Sequence, residues 1–261
     1  MMVAMTNLFP DLLTQFLLSL SLGTAAFSWI ASPKLTGAGF MRLVTGHGVI
    51  FLSLMIGLSW ALFGAPYPLW LAFEGIALLS LILQWKLHRD RRTKSMWALF
   101  LLQTVFTIVL FLAFAGKGPA QFAFLLSSAL LLGVTHYSML LGHYYLVVPK
   151  LTERPLLICL KMFWTILFGK LLFSAFYTWQ AWPYLSEGSV LGDGFIFNWL
   201  VISMRWLWGY GALLVLSYFA WRLCRMRSIQ SATGVLYIMV FFVFIGELLS
   251  AYLYFKHGLA I

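Results

Sequence analysis

Eight stretches of the chain stay apolar for about 20 residues, the length a helix needs to cross a hydrocarbon core. They run over 11–32, 43–63, 68–87, 96–115, 119–147, 155–181, 197–221 and 232–256. Each predicts a membrane-spanning helix. The breaks between them are rich in Pro and Gly or charged. They fall at Ser32-Pro33-Lys34, Gly64-Ala65-Pro66, His88 to Lys94, Gly116 to Pro119, Val148-Pro149-Lys150, Trp182-Pro183-Tyr184 and Arg222 to Arg227. The expected fold is therefore all-α: a single domain, 1–261, built as a bundle of eight transmembrane helices. The connections are short, the longest being 182–196. With no attached soluble domain, any chemistry belongs inside the bundle or at its two faces.

The polar residues that interrupt this pattern set the orientation. The segments after the first, third, fifth and seventh spans hold Lys34, Arg42, Lys86, Arg89, Arg91, Arg92, Lys94, Lys150, Arg154, Arg222, Arg225 and Arg227, twelve in all. The opposite side holds two, Lys117 and Lys256. Cytoplasmic loops carry the excess of Lys and Arg, so both termini are expected outside a bacterial-type inner (plasma) membrane. No basic residue precedes Lys34, so the chain is not expected to open with a cleavable signal.

Composition agrees with the pattern. Hydrophobic residues make up 62 % of the 261, charged residues 9 %. A soluble domain has about 25 % charged residues, so a water-soluble enzyme and a disordered chain are excluded. The formal net charge of +10 lies mostly in loops facing anionic lipid, so it does not indicate a nucleic-acid partner. The expected partner is the bilayer. Two cysteines without a CxxC cannot form a disulfide or metal scaffold. No HExxH, GxSxG, Walker A or GxGxxG run occurs. A membrane protease, ATPase or nicotinamide enzyme therefore has no visible machinery. No repeat relates the first four spans to the last four, which weighs against many transporter architectures.

Polar side chains inside spans are costly and are functional candidates by default. His47 lies about four residues into the second span, and His143 about four residues before the end of the fifth. Both then sit roughly 6 Å inside the basic boundary. His136, seven residues before His143, shares its face about 10.5 Å deeper. Two neutral imidazoles at one depth on separate helices suit the axial ligation of a haem b, each ring donating its other N–H to a neighbour. Gly46, Gly48 and Gly142 beside them would give a porphyrin room. The pairing expected is His47 with His143, with His136 as the alternative ligand on the fifth span. The bland reading is interhelical hydrogen bonding.

A second group is charged. Glu74, Lys170, Arg205 and Glu247 fall in the middle-to-outer layer, and two acids and two bases can cancel as ion pairs. They read as interhelical glue, as a proton path, or as a quinone or anion site. Arg205 and Lys170 are also candidate partners for haem propionates. Trp206 and Trp208 lie deeper than an interfacial belt, Lys161 is expected to snorkel, and hydroxyls in 225–234 are expected to cap the last helix. The leading functional expectation is a membrane electron-transfer protein, a b-type cytochrome or a quinone-interacting anchor subunit of a membrane oxidoreductase, with a redox partner protein. The alternatives are a small-solute or proton transporter using the charged residues, and a structural or assembly subunit of a membrane complex.

Overall fold

The computed structural model describes residues 8–30, 36–64, 68–87, 93–115, 118–148, 151–182, 185 and 195–261. Every regular element among them is a helix. In chain order these are α1 (Leu8–Ala26), α2 (Ala38–Phe63), α3 (Pro68–Leu87), α4 (Thr93–Ala115), α5 (Pro119–Val147), α6 (Arg154–Gln180), α7 (Phe195–Trp206), α8 (Leu213–Arg225) and α9 (Ile229–His257), with a π-helical turn, Leu207–Ala212, joining α7 to α8. Helices satisfy every backbone group internally, which lipid demands. Proline opens three of them at Pro68, Pro119 and Pro155, where a missing N–H costs nothing. Gly64 and Gly258 end two more with φ of 80° and 72°.

Seven units are long and apolar enough to cross a membrane: α1, α2, α3, α5, α6, the continuous α7–π–α8 and α9. In α4 the described apolar stretch is shorter, Trp97–Leu112. The protein is thus an all-helical multi-pass membrane protein. The central helix is α5, which packs on α1, α2, α4, α6 and α9. Its most apolar window is 78 % buried, against 28 % for α2 and α3. The α1–α5 crossing is made by small residues. A Cβ on Gly23 would fall 1.9 Å from the Ala129 carbonyl oxygen, and one on Gly133 2.1 Å from the Gly23 carbonyl carbon. Small residues spaced four apart, Ser19 with Gly23 and Ala129 with Gly133, let the two backbones touch.

Several boundaries differ from the hydropathy reading. The first span ends at Ala26 and gives way to a turn over 27–30, rather than running to 32. Helix α2 begins at Ala38, five residues before the apolar run does, because a helix turn containing Arg42 lies outside the hydropathic core. The long connection 182–196, apart from Trp182, Leu185 and 195–196, the basic run 88–92 and residues 116–117 and 149–150 lie outside the described residues.

Candidate functional site

Three of the four charged candidates meet. Lys170 Nζ lies 2.5 Å from Glu247 Oε2, and Arg205 Nη1 lies 3.1 Å from Glu247 Oε1. Lys170 also donates to Ser128 Oγ at 2.5 Å. Arg205 Nη2 donates to the Tyr210 hydroxyl at 2.7 Å, which in turn lies 2.5 Å from Ser174 Oγ. All three charged side chains are at most 3 % exposed. Their depths match. Lys170, Arg205 and Glu247 each stand ten residues from the same end of α6, α7 and α9, and Ser128 nine residues into α5. At 1.5 Å per residue that is about 15 Å, near the middle of a bilayer core about 30 Å thick.

The π turn helps build this cluster. Residues five apart on an α-helix point to different faces, whereas a π turn closes i→i+5 and brings Arg205 and Tyr210 into line. The guanidinium also lies over the Tyr210 ring, 4.2 Å from its centre. Gly209 and Gly246 make room for it: a Cβ on Gly209 would meet Arg205 Nη1 at 2.7 Å, and one on Gly246 would lie 2.7 Å from the Gly209 Cα. The sequence gives no direct sign of the π turn beyond its two glycines.

Glu74 does not join the cluster. It sits on α3 and accepts a hydrogen bond from Trp60 Nε1 at 2.9 Å. The expected balance of two acids and two bases therefore becomes two cations on one carboxylate. The contact between Arg205 Nη1 and Glu247 Oε1 is an ion contact without hydrogen-bond alignment, and Arg205 Nε has no hydrogen-bond partner. Trp206 packs on Tyr210 and Trp208 on Phe242, so both serve the packing around the π turn. Lys161 is exposed, as a snorkelling side chain requires. Ser228 makes no side-chain cap to α9, because its hydroxyl donates to Ser231 instead.

The histidines pair differently from the sequence expectation. The ring centres of His47 and His136 lie 5.3 Å apart, with their planes tilted at 59°. His143 instead turns to α9, where its Nδ1 lies 2.9 Å from the Tyr237 hydroxyl. The cause is the early start of α2. With its first residue at Ala38, His47 lies nine residues in, and His136 lies eleven from the end of α5. These are depths of roughly 13 and 16 Å. The five-residue change in boundary moved His47 about one and a half turns deeper, past His143. The neighbouring glycines serve helix packing rather than open space. Cβ atoms on Gly46, Gly48 and Gly142 would meet Trp85, Leu81 and Thr233 at 3.3, 3.3 and 3.0 Å.

The histidine pair has the following chemistry. His47 Nδ1 is 2.8 Å from the Leu43 carbonyl oxygen. A carbonyl only accepts, so Nδ1 carries the hydrogen and Nε2 is left with its lone pair. His136 is 5 % exposed, and neither ring nitrogen has a partner. Phe51 and Phe244 flank it at ring-centre distances of 5.2 and 6.3 Å. Two imidazoles on one metal ion stand with ring centres about 6.4 Å apart, given metal–nitrogen bonds of about 2.0–2.1 Å, so the observed 5.3 Å is about an ångström shorter than such a pair. No group of three or more His, Cys, Asp or Glu able to hold a metal occurs among the described residues. A bare divalent ion here would lack the third and fourth ligands that zinc takes.

On its other side His47 lines a groove of about 500 Å³ together with Gly39, Arg42, Gly46, Ile50 and Trp85. Arg42 Nη2 donates to the Lys86 carbonyl at the end of α3, at 3.2 Å. His257, at the opposite end of the bundle, lies 3.2 Å from Asn198 Oδ1. No protein-family description, curated protein or solved structure matches this chain.

Proposed function

We propose that the protein carries electrons within a bacterial-type inner membrane through a haem b held between His47 and His136. It would act as a b-type cytochrome or a quinone-interacting anchor of an oxidoreductase, with a redox partner protein. The observation that carries the reading is His136, a buried imidazole with both nitrogens unsatisfied, facing an imidazole whose Nδ1–H is already spent. Burying an unsatisfied polar nitrogen costs about 1–3 kcal/mol, and an axial bond to iron would remove that cost at His136 and use the free Nε2 of His47. The Nδ1–H bond to the Leu43 carbonyl supplies the outer partner that fixes a ligating ring. The reading includes eight spans, α4 among them, and outside termini, supported by the concentration of Lys and Arg at one end of the bundle.

The test is a reduced-minus-oxidised optical spectrum of the purified protein with its His47→Ala, His136→Ala and His143→Ala variants. The expected result is a low-spin haem spectrum in the wild type, lost in the first two variants and kept in the third. A colourless wild type with no Soret band overturns the reading. Loss in His143→Ala with retention in His136→Ala overturns the pairing.

A second reading is favoured by the mid-depth Lys170–Glu247–Arg205 cluster. Intramembrane ionisable groups mark solute and proton paths, and in a proton or small-solute transporter this cluster would be the transport site. Uptake into proteoliposomes that Glu247→Gln abolishes would support it.

A further inference from the structure

The geometry points to the groove between α2 and α3 as the seat of one anionic phospholipid, its phosphate held at Arg42 and Lys86 and an acyl chain laid along α2. The site stands apart from the redox reading and does not depend on it. The groove holds about 500 Å³. Ile50 and Trp85 in its lining are 54 % and 45 % exposed, on helices whose most apolar windows are only 28 % buried. Its open side therefore faces acyl chains. Its two ends differ in depth. Helix α2 has 26 residues and is about 39 Å long, more than a hydrocarbon core of about 30 Å, so the first turn with Arg42 stands at headgroup level. Ile50, eight residues on, lies about 12 Å deeper. A groove that starts among headgroups and descends into hydrocarbon has the layout of a phospholipid.

Charge selects the headgroup. Arg42 Nη2 donates to the Lys86 carbonyl at 3.2 Å. That bond ties the guanidinium to the C-terminal end of α3, where the helix dipole favours a cation, and leaves the other N–H groups of the fork to donate. Lys86 brings an ammonium to the same helix end, and both residues are exposed. Among the described residues no carboxylate lines the groove, and none lies within ion-pair distance of Arg42. Two cations without an acid call for an anion, and a guanidinium matches a phosphate with two parallel hydrogen bonds. Phosphatidylcholine carries its own cation next to the phosphate, so a lipid of net negative charge is preferred. Packing selects a chain for the apolar end. The Cβ direction of Gly46 already meets Trp85 Nε1 at 3.3 Å, and that of Gly39 meets the Tyr144 hydroxyl at 2.9 Å. Aromatic side chains thus cover both glycines and leave no flat slot. What stays open runs past Leu43, Val49 and Ile50, a path for a flexible chain, which would also cover the half-buried His47 from the lipid side.

The experiment titrates the full chain in detergent with phosphatidylglycerol or phosphatidylcholine and counts bound lipid by native mass spectrometry. In parallel, a phosphatidylglycerol with a diazirine in its acyl chain is photocrosslinked in nanodiscs and the adducts are mapped. Phosphatidylglycerol should bind about tenfold or more tightly than phosphatidylcholine, with adducts on residues 43–50 or beside Trp85. Arg42→Gln removes a charge-assisted contact and should weaken phosphatidylglycerol by about tenfold or more, leaving phosphatidylcholine unchanged. Lys86→Gln serves if Arg42→Gln does not fold. Arg225→Gln is the control: it lies at the same end of the bundle, over the Trp221 ring at 5.0 Å, and its loss should remove only general attraction to anionic lipid, about fivefold at most. Equal binding of the two lipids overturns the headgroup site. Adducts spread over all the helices, or a loss in Arg225→Gln as large as in Arg42→Gln, assign the lipid to the ordinary boundary layer and overturn the inference.

Discussion

The buried charge cluster makes a prediction about asymmetry. Glu247 touches both cations, at 2.5 and 3.1 Å. At an effective dielectric of about 20, each contact is worth about 5–7 kcal/mol of gross attraction, most of it offset by desolvation. Replacing Glu247 by Gln keeps the volume and removes the one negative charge, so two cations face each other without solvent. Breaking a buried pair in this way costs about 3–5 kcal/mol. At about 2–4 °C per kcal/mol for a chain of this size, Tm should fall by about 6–20 °C. Lys170→Met is different, because Arg205 still neutralises Glu247, and its cost should stay under about 2 kcal/mol. The double variant removes one cation and the carboxylate, leaving a single charge beside Tyr210. It should therefore be more stable than Glu247→Gln alone, an interaction of opposite sign to simple additivity. Thermal unfolding of the detergent-solubilised variants, followed by tryptophan fluorescence, measures all three. A Lys170→Met variant as unstable as Glu247→Gln would refute the reasoning.

Two further outcomes are expected. Gly133→Ala should be among the most destabilising single-methyl changes in the protein, at 3 kcal/mol or more where ordinary overpacking costs about 1–3, because its Cβ would meet the Gly23 backbone at 2.1 Å. Gly57→Ala and Gly169→Ala, with nothing within 4 Å of the added carbon, should be neutral or stabilising by about 0.5–1 kcal/mol; equal melting temperatures for all three would contradict the crossing. At the basic end, the Glu153 carboxyl is held below its ordinary value by its own backbone N–H and then by Arg227, whose Nε is 3.4 Å away. A lowered folded pKa gives stability that is present above the unfolded value near 4.3 and lost as pH falls through the folded one. The difference between wild type and Glu153→Gln should therefore be small at pH 7, shrink with added salt, and vanish in acid; a difference that is constant with pH would discount the pair.

The sequence shows the spans because 20 apolar residues can do little else, and it shows the charged cluster because depth can be counted from the ends. It does not show lateral neighbours. Glu74 has a suitable depth, but it sits on α3, where Trp60 of α2 is its partner. The neighbours of the histidines differ from the expected pairing for a related reason. Hydropathy places a helix start where apolar residues begin, yet the turn Ala38–Arg42, with a Gly and an Arg, is helical. A first turn interrupted by Gly39 and Arg42 falls short of the hydropathic run, and its five residues bring His47 beside His136 rather than His143. The spacing of Phe40 and His47, which places both toward α5 against Tyr137 and His136, is the signal that an earlier start would have explained.

The two candidate sites share a helix, and that bears on which functional reading is stronger. Ser128 and His136 are eight residues apart on α5, a rise of about 12 Å, and Gly133 lies between them. There the backbones of α1 and α5 are in contact, with no side chain to act as a bearing. Alternating access works by rocking one bundle or repeat against another around a fixed site. A glycine-to-glycine crossing next to both sites opposes such sliding, because any shift drives neighbouring side chains into backbone. Packed interiors resist continuous deformation in the same way. Electron transfer asks the opposite of a scaffold: ligands held at fixed distances through many turnovers. An α5 that is buried, central and pinned at Gly133 suits fixed imidazoles better than a moving gate, and on that ground the redox reading stands ahead of transport.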